Sequence, residues 1–137
     1  MDFVITARGH ENVRATHKTT IEVTTDTSLT PRGTCIVAVG ADKGLRDMPQ
    51  RFKDKLRENG VRVTFRCGDA EWTLMGRGTP RLELTHPHDM VIRTSAYECP
   101  RTLLVGADGA ACDMPRELVR CLRDPSRIVT VTLTIKE

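Results

Sequence analysis

Near the start of the chain apolar side chains fall on every second position, Phe3 and Ile5, and the same alternation returns at Trp72 and Leu74. A period of two predicts short strands with one face in a core. An Arg-Gly pair interrupts each run, at 8–9 and 77–78, and a longer strand is predicted after it, over 13–25 and over 82–94. In the first of these, Ile21 and Val23 should face inward and Lys18, Thr20, Glu22 and Thr24 outward; in the second, Met90 and Ile92 should face inward. Their threonines and β-branched residues suit a half-buried pleated surface. Two nearly all-apolar runs, 35–39 and 102–105, are too short for helices and read as central strands covered on both sides.

A loop then leads into a helix in each half. Asp47 and Asp113 are expected as N-caps, with Pro49 and Pro115 in the first turn, where a missing N–H costs nothing. Phe52 with Leu56, and Leu118 with Leu122, lie at i and i+4 and give each helix one apolar stripe. Asn59-Gly60 and Pro125 stop the helices. Alternation resumes at Val61, Val63 and Phe65, and at Val129, Val131, Leu133 and Ile135.

The pattern therefore runs twice, and the letters repeat with it. VGADKGLRDMP at 39–49 returns as VGADGAACDMP at 105–115, a shift of 66. Upstream the shift is 69, placing Arg8-Gly9 on Arg77-Gly78 and Thr16-His17 on Thr85-His86. The expected organisation is a single domain, 1–137, built of two repeats, 1–68 and 69–137. A β-β-β-α-β unit with one helix cannot cover its own sheet, but two copies can cover each other's. The expected fold is mainly β with two helices (α+β), a pseudo-twofold β-sandwich or partly closed barrel, with an interleaved barrel as the rival.

With 39% apolar and 28% charged residues the composition is that of a packed globular chain, not a disordered one. No apolar run approaches the ~18 residues of a membrane span, so the expected setting is cytoplasmic, with no membrane partner. Five cysteines without a C-x-x-C pair fit neither a zinc ribbon nor a complete disulfide framework, which leaves buried or semi-buried thiols. A net charge of +3, carried mostly by arginine, permits an anionic partner without requiring one. A homo-oligomer is compatible with all of this.

Chemistry has few places to sit. The loop Gly40-Ala41-Asp42-Lys43-Gly44 runs from strand to helix, a context for anion binding, but lacks nucleotide-loop spacing, and Lys43 becomes Gly109 in the second copy. Asp42 and Asp108 read more simply as turn residues bonded to their own backbone. His17 and His86 fall on the expected core side, and His88 shares a face with His86 across His-Pro-His. With Asp89 these three form a candidate divalent-metal set; the alternative is core histidines bonded to backbone or threonine. His10, Asn12, Thr19 and Glu22 crowd a polar stretch that offers ligand-binding groups, or simply a solvated sheet face. Arg62 and Arg66 share one strand face, and Arg116, Arg120 and Arg123 one helix stripe. Tyr97 is the one aromatic left over for stacking, which argues against an aromatic RNA platform. No cysteine shows a neighbouring base in sequence.

At RGHENVRATHKTT, LTPRGTCIVAVGADKG and THPHDMVIRTS the chain resembles the archaeal family catalogued as domain of unknown function 371, over essentially its whole length. The resemblance implies an archaeal source and a small stand-alone protein, and no activity. In that family's pattern the second half often opens with Gly-His-Pro, where this chain has Gly78-Thr79-Pro80, so the counterpart of His10 is absent. The reading that follows is a non-catalytic binding domain for an anionic small molecule or nucleic acid at a groove between the halves. The alternatives are a metal-dependent enzyme using His17, His86 and His88, with Asp89 or Glu22 as acid or base, and a structural or partner-binding subunit.

Overall fold

Four alternating segments build the first sheet of the computed structural model, which describes residues 1–136; Glu137, the end of the expected second half, lies outside the described residues. They are β1 (Asp2–Arg8), β4 (Gly60–Cys67), β5 (Ala70–Arg77) and β8 (Ile128–Ile135), all antiparallel in the order β1-β8-β4-β5. The register sets Phe3, Leu133, Val63 and Leu74 side by side on the inner face. The period-two pattern thus places one buried row across all four strands. Trp72 is half-buried and stacks on Phe65 with ring centroids 6.0 Å apart.

The second sheet comprises β2 (Thr20–Thr24), β3 (Ile36–Ala38), β6 (Asp89–Arg93) and β7 (Thr102–Leu104), in the order β3-β2-β6-β7. β2 and β6 are antiparallel, while β3 and β7 lie parallel to them. Three expectations are corrected here. The long strands predicted over 13–25 and 82–94 shrink to five residues each, because Ala15 (φ 51°) and Leu84 (φ 55°) turn the approaching backbone out of the extended region. The nearly all-apolar runs are edge strands of their sheet, not central ones; β2 and β6 hold the centre. In β2 the outward-facing Glu22 and Thr24 are themselves buried, as the following loops fold over that face.

The helices are α1 (Gln50–Arg57) and α2 (Arg116–Leu122), each preceded by a 3-10 turn, Leu45–Asp47 and Ala111–Asp113. Asp47 and Asp113 do not cap the α-helices. Their carboxylates accept the Gly44 and Ala110 N–H groups at 2.7 and 2.8 Å and close the 3-10 turns, leaving Pro49 and Pro115 at the helix N-caps. The predicted stripes are buried, Leu56 and Leu122 fully, each contributing about 2 kcal/mol of apolar burial. Gly9 and Gly78 let the strand ends run onto the helix ends: His10 N–H donates to the Leu122 carbonyl (2.9 Å), and Gly78 N–H to that of Asn59 (3.1 Å).

Both sheets draw strands from both halves of the chain. Their edges meet at single bridges, Arg8 with Val39 and Arg77 with Val105. The fold is therefore mainly β with two helices and two four-stranded sheets, and among the described residues it is not a closed barrel. Among the described residues no helix is long and apolar enough to cross a membrane.

Candidate functional site

The repeated loops have a shared structural task. Asp42 donates its N–H to the Thr6 carbonyl and accepts the Thr6 N–H on its carboxylate, both at 2.9 Å; Asp108 does the same with Met75 at the same distances. Each aspartate thus satisfies the open edge of β1 or β5, not its own backbone as expected from turn chemistry. Gly40 (φ 60°) and Gly106 (φ 58°) supply the left-handed residue that starts each loop. Lys43 follows suit, its Nζ 2.7 Å from the Val4 carbonyl, while a side chain at Gly109 would meet the Trp72 ring at 3.0 Å.

The histidines sit at loop corners, half-buried or exposed, and not on the core side as the long strands implied. His17 Nδ1 accepts the Thr19 and Thr20 N–H groups (3.2 and 3.1 Å), and His86 Nδ1 those of His88 and Asp89 (3.2 and 2.9 Å). His10 Nδ1 accepts from Asn12, whose side chain donates to the Leu29 carbonyl at 2.8 Å. Each ring organises a turn through Nδ1 and so carries its neutral-form proton on Nε2. His88 Nδ1 lies 2.6 Å from the Thr25 hydroxyl, and Thr19 accepts Thr94 N–H at 3.0 Å. His86 and His88 have ring centroids 6.3 Å apart, and among the described residues no three His, Cys, Asp or Glu side chains are grouped to hold a metal ion.

Two of the predicted residues, Glu22 and Asp89, do come together, on the loop-covered outer face of β2 and β6. Arg101 lies between them, Nη1 3.7 Å from Glu22 Oε1 and 3.1 Å from Asp89 Oδ2; the Thr24 hydroxyl donates to Asp89 Oδ1 at 3.0 Å. Burial, with Asp89 adding to it, pushes the Glu22 carboxyl up to about 7, against the pull of Arg101 and Arg93. Cys35 lies 4.0 Å from Glu22 Oε1, and burial first, then Glu22, raises its thiol.

Sequence reasoning missed the next group along this face. Cys99 Sγ accepts from Arg93 Nη2 at 3.2 Å and lies 3.6 Å from the Thr102 hydroxyl. Cys99 also lines a groove of about 550 Å³ with Arg81, Glu83, Tyr97 and Pro100. Nothing in the spacing of Arg93, Cys99 and Thr102 announces a site; the loop brings them together. Of the remaining thiols Cys112 is exposed, contrary to the buried or semi-buried expectation.

The outer face of the first sheet, in contrast, is open. Across it run the rows Thr6-Thr130-Arg66-Glu71, Val4-Thr132-Thr64-Thr73 and Asp2-Thr134-Arg62-Met75, with Arg8 and Arg77 at the strand ends. Arg66 is paired with Glu71, whereas Arg8, Arg62 and Arg77 make no ion pair among the described residues. The predicted helix stripe is less available, since Arg116 is committed to the Ala15 and Met114 carbonyls at 3.1 and 3.2 Å.

The family described as Domain of unknown function (DUF371) matches residues 5–136. Uncharacterized protein MJ0206 of Methanocaldococcus jannaschii is 45% identical over 130 residues, spanning 94% of this chain and 96% of the relative. A match over nearly the full length, joined to a relative of that identity, means that the protein belongs to the DUF371 family.

Proposed function

We propose that the protein is a non-catalytic binding domain that takes the phosphate backbone of a nucleic acid across the open face of its first sheet. The observation that carries this reading is a set of three guanidiniums, Arg8, Arg62 and Arg77, that make no ion pair among the described residues and stand on an uncovered strand surface rich in threonines. Guanidinium forks and threonine hydroxyls are both donors to phosphate oxygens, and a flat sheet without aromatic platforms favours backbone contacts over base readout. The reading includes a single domain of two copies, 1–68 and 69–137, about a pseudo-twofold axis. In support, exchanging the halves turns the order β1-β8-β4-β5 into β5-β4-β8-β1, the same sheet counted from its other edge. Five unpaired cysteines fit a reducing, cytoplasmic setting.

The test is fluorescence anisotropy with a labelled single-stranded oligonucleotide over a range of salt. Three phosphate contacts give a slope of log K against log salt of about −2. The variant with Arg8, Arg62 and Arg77 all changed to Ala should flatten that slope and weaken binding by about tenfold or more at low salt. No binding at low salt, or an unchanged slope in the variant, overturns the reading. Equally tight binding of inorganic phosphate would reassign the face to a small anion.

A further inference from the structure

The groove beside β6 holds a thiol whose surroundings differ from those of the other cysteines. Thr102 is completely buried, and its hydroxyl oxygen accepts two N–H groups, Arg93 Nε and the Cys99 backbone, each at 3.0 Å. With both lone pairs occupied, its single proton is left for Cys99 Sγ at 3.6 Å. The Arg93 guanidinium is fixed by that Nε bond and lies 4.9 Å from the centroid of the Tyr97 ring, which aims its Nη2 at the same sulfur, 3.2 Å away. Two held donors thus converge on Cys99, a half-buried residue that lines an open groove of about 550 Å³.

We propose that Cys99 is a peroxide-reactive thiolate, with Arg93 and Thr102 as positioning residues that stabilise its anion and orient an incoming hydroperoxide in the groove. In the step, the Cys99 thiolate attacks one peroxide oxygen. The S–O bond forms as the O–O bond breaks, and the bonding pair leaves on the distal oxygen, which takes a proton from solvent to become water or an alcohol. Sulfur is oxidised by two electrons to sulfenic acid and the peroxide is reduced by two. An external low-molecular-weight thiol then condenses with the sulfenic acid, releasing water and leaving a mixed disulfide for a second thiol to reduce.

The electrostatics agree with the geometry. Burial raises the Cys99 thiol, but the Thr102 hydroxyl, the Arg101 backbone N–H and the Arg93 guanidinium outweigh it and bring the thiol down to about 7. The charged groups beside it are Arg93 from β6 and Arg101 from the following loop, while Glu98 is engaged by the Thr79 hydroxyl (2.9 Å) and Arg81 (3.6 Å). Burial holds Cys67 at about 12 and raises Cys35, so neither competes at neutral pH.

The experiment treats the full chain with substoichiometric hydrogen peroxide at pH 7, traps sulfenic acid with a dimedone-type probe, and maps the label by peptide mass spectrometry. Label should concentrate on Cys99 at about tenfold or more over the exposed Cys112, with a rate that inflects near pH 7, where the lowered Cys99 thiol loses its proton. Arg93→Lys and Thr102→Val, checked for native circular dichroism, should slow labelling and move the inflection up, because each removes a donor to the Cys99 sulfur. If either variant fails to fold, competitive alkylation of the five cysteines in the unmodified protein gives the same ranking. Label that favours Cys112, or a Cys99 rate inflecting where an ordinary thiol does, overturns the proposal.

Discussion

Glu22 makes the stability of this protein depend on pH in a direction opposite to that of most carboxylates. Glu22 is 6% exposed on the covered face of β2, and burial lifts its folded value from 4.5 to about 7. Between those values the unfolded chain has released the proton while the native state still holds it. Stability therefore falls as pH rises, by about 1.4 kcal/mol per unit. The contribution is fully present below about 4.5 and is lost as pH passes 7. Over the whole window this amounts to about 3 kcal/mol, an upper figure because water and Arg101 relieve part of the desolvation. Glu22→Gln keeps the shape and the neutral form but removes the titration. Urea unfolding of both proteins from pH 5 to 8 is the assay. The variant should gain on the parent by about 1 kcal/mol per unit up to pH 7 and then level off. Parallel pH profiles, or a gain that grows toward acid, would refute the account of Glu22 as a carboxyl held neutral by burial.

Other perturbations test the joints of the fold. Gly78→Ala drives a Cβ into the Leu56 carbonyl oxygen, and Gly9→Ala one into that of Asp124; each should cost about 3 kcal/mol by denaturant unfolding. Asp42→Ala removes the carboxylate from the β1 edge, which should cost about 1 kcal/mol and speed hydrogen exchange at the Thr6 amide before that at Ile5. His17→Ala should lower stability by about 1 kcal/mol through the lost Thr19 and Thr20 bonds. Near-stoichiometric metal in tag-free protein, absent from both His17→Ala and His86→Ala, would instead make these rings ligands.

The alternation of β1, β4, β5 and β8 and the i, i+4 stripes of the helices were legible in the sequence, because those elements each have one wet face and one dry face, and periodicity reports that difference directly. The repeated loop was legible too, as letters, although its task was not. That Asp42 and Asp108 close sheet edges depends on β1 and β5 lying beside them, more than thirty residues away in the chain. β2 and β6 failed the pattern for a related reason: with loops over one side and the core over the other, polar and apolar positions are buried alike, and Glu22 looks like a solvated residue. Arg62 was readable as an outward arginine by alternation, and Arg8 and Arg77 follow the same rule once the strands are placed.

The chemistry around Cys99 had no local signal at all. A thiol's character depends on which donors reach its sulfur, and here a loop of 94–101 carries Cys99 back over Arg93 and Thr102. The sequence by itself determined the strands of the first sheet and the two helices, because each has one wet and one dry face that local periodicity reports. Only the tertiary structure decided which strands pair, which face stays open and which side chains share a site, because those depend on contacts between residues distant in the chain.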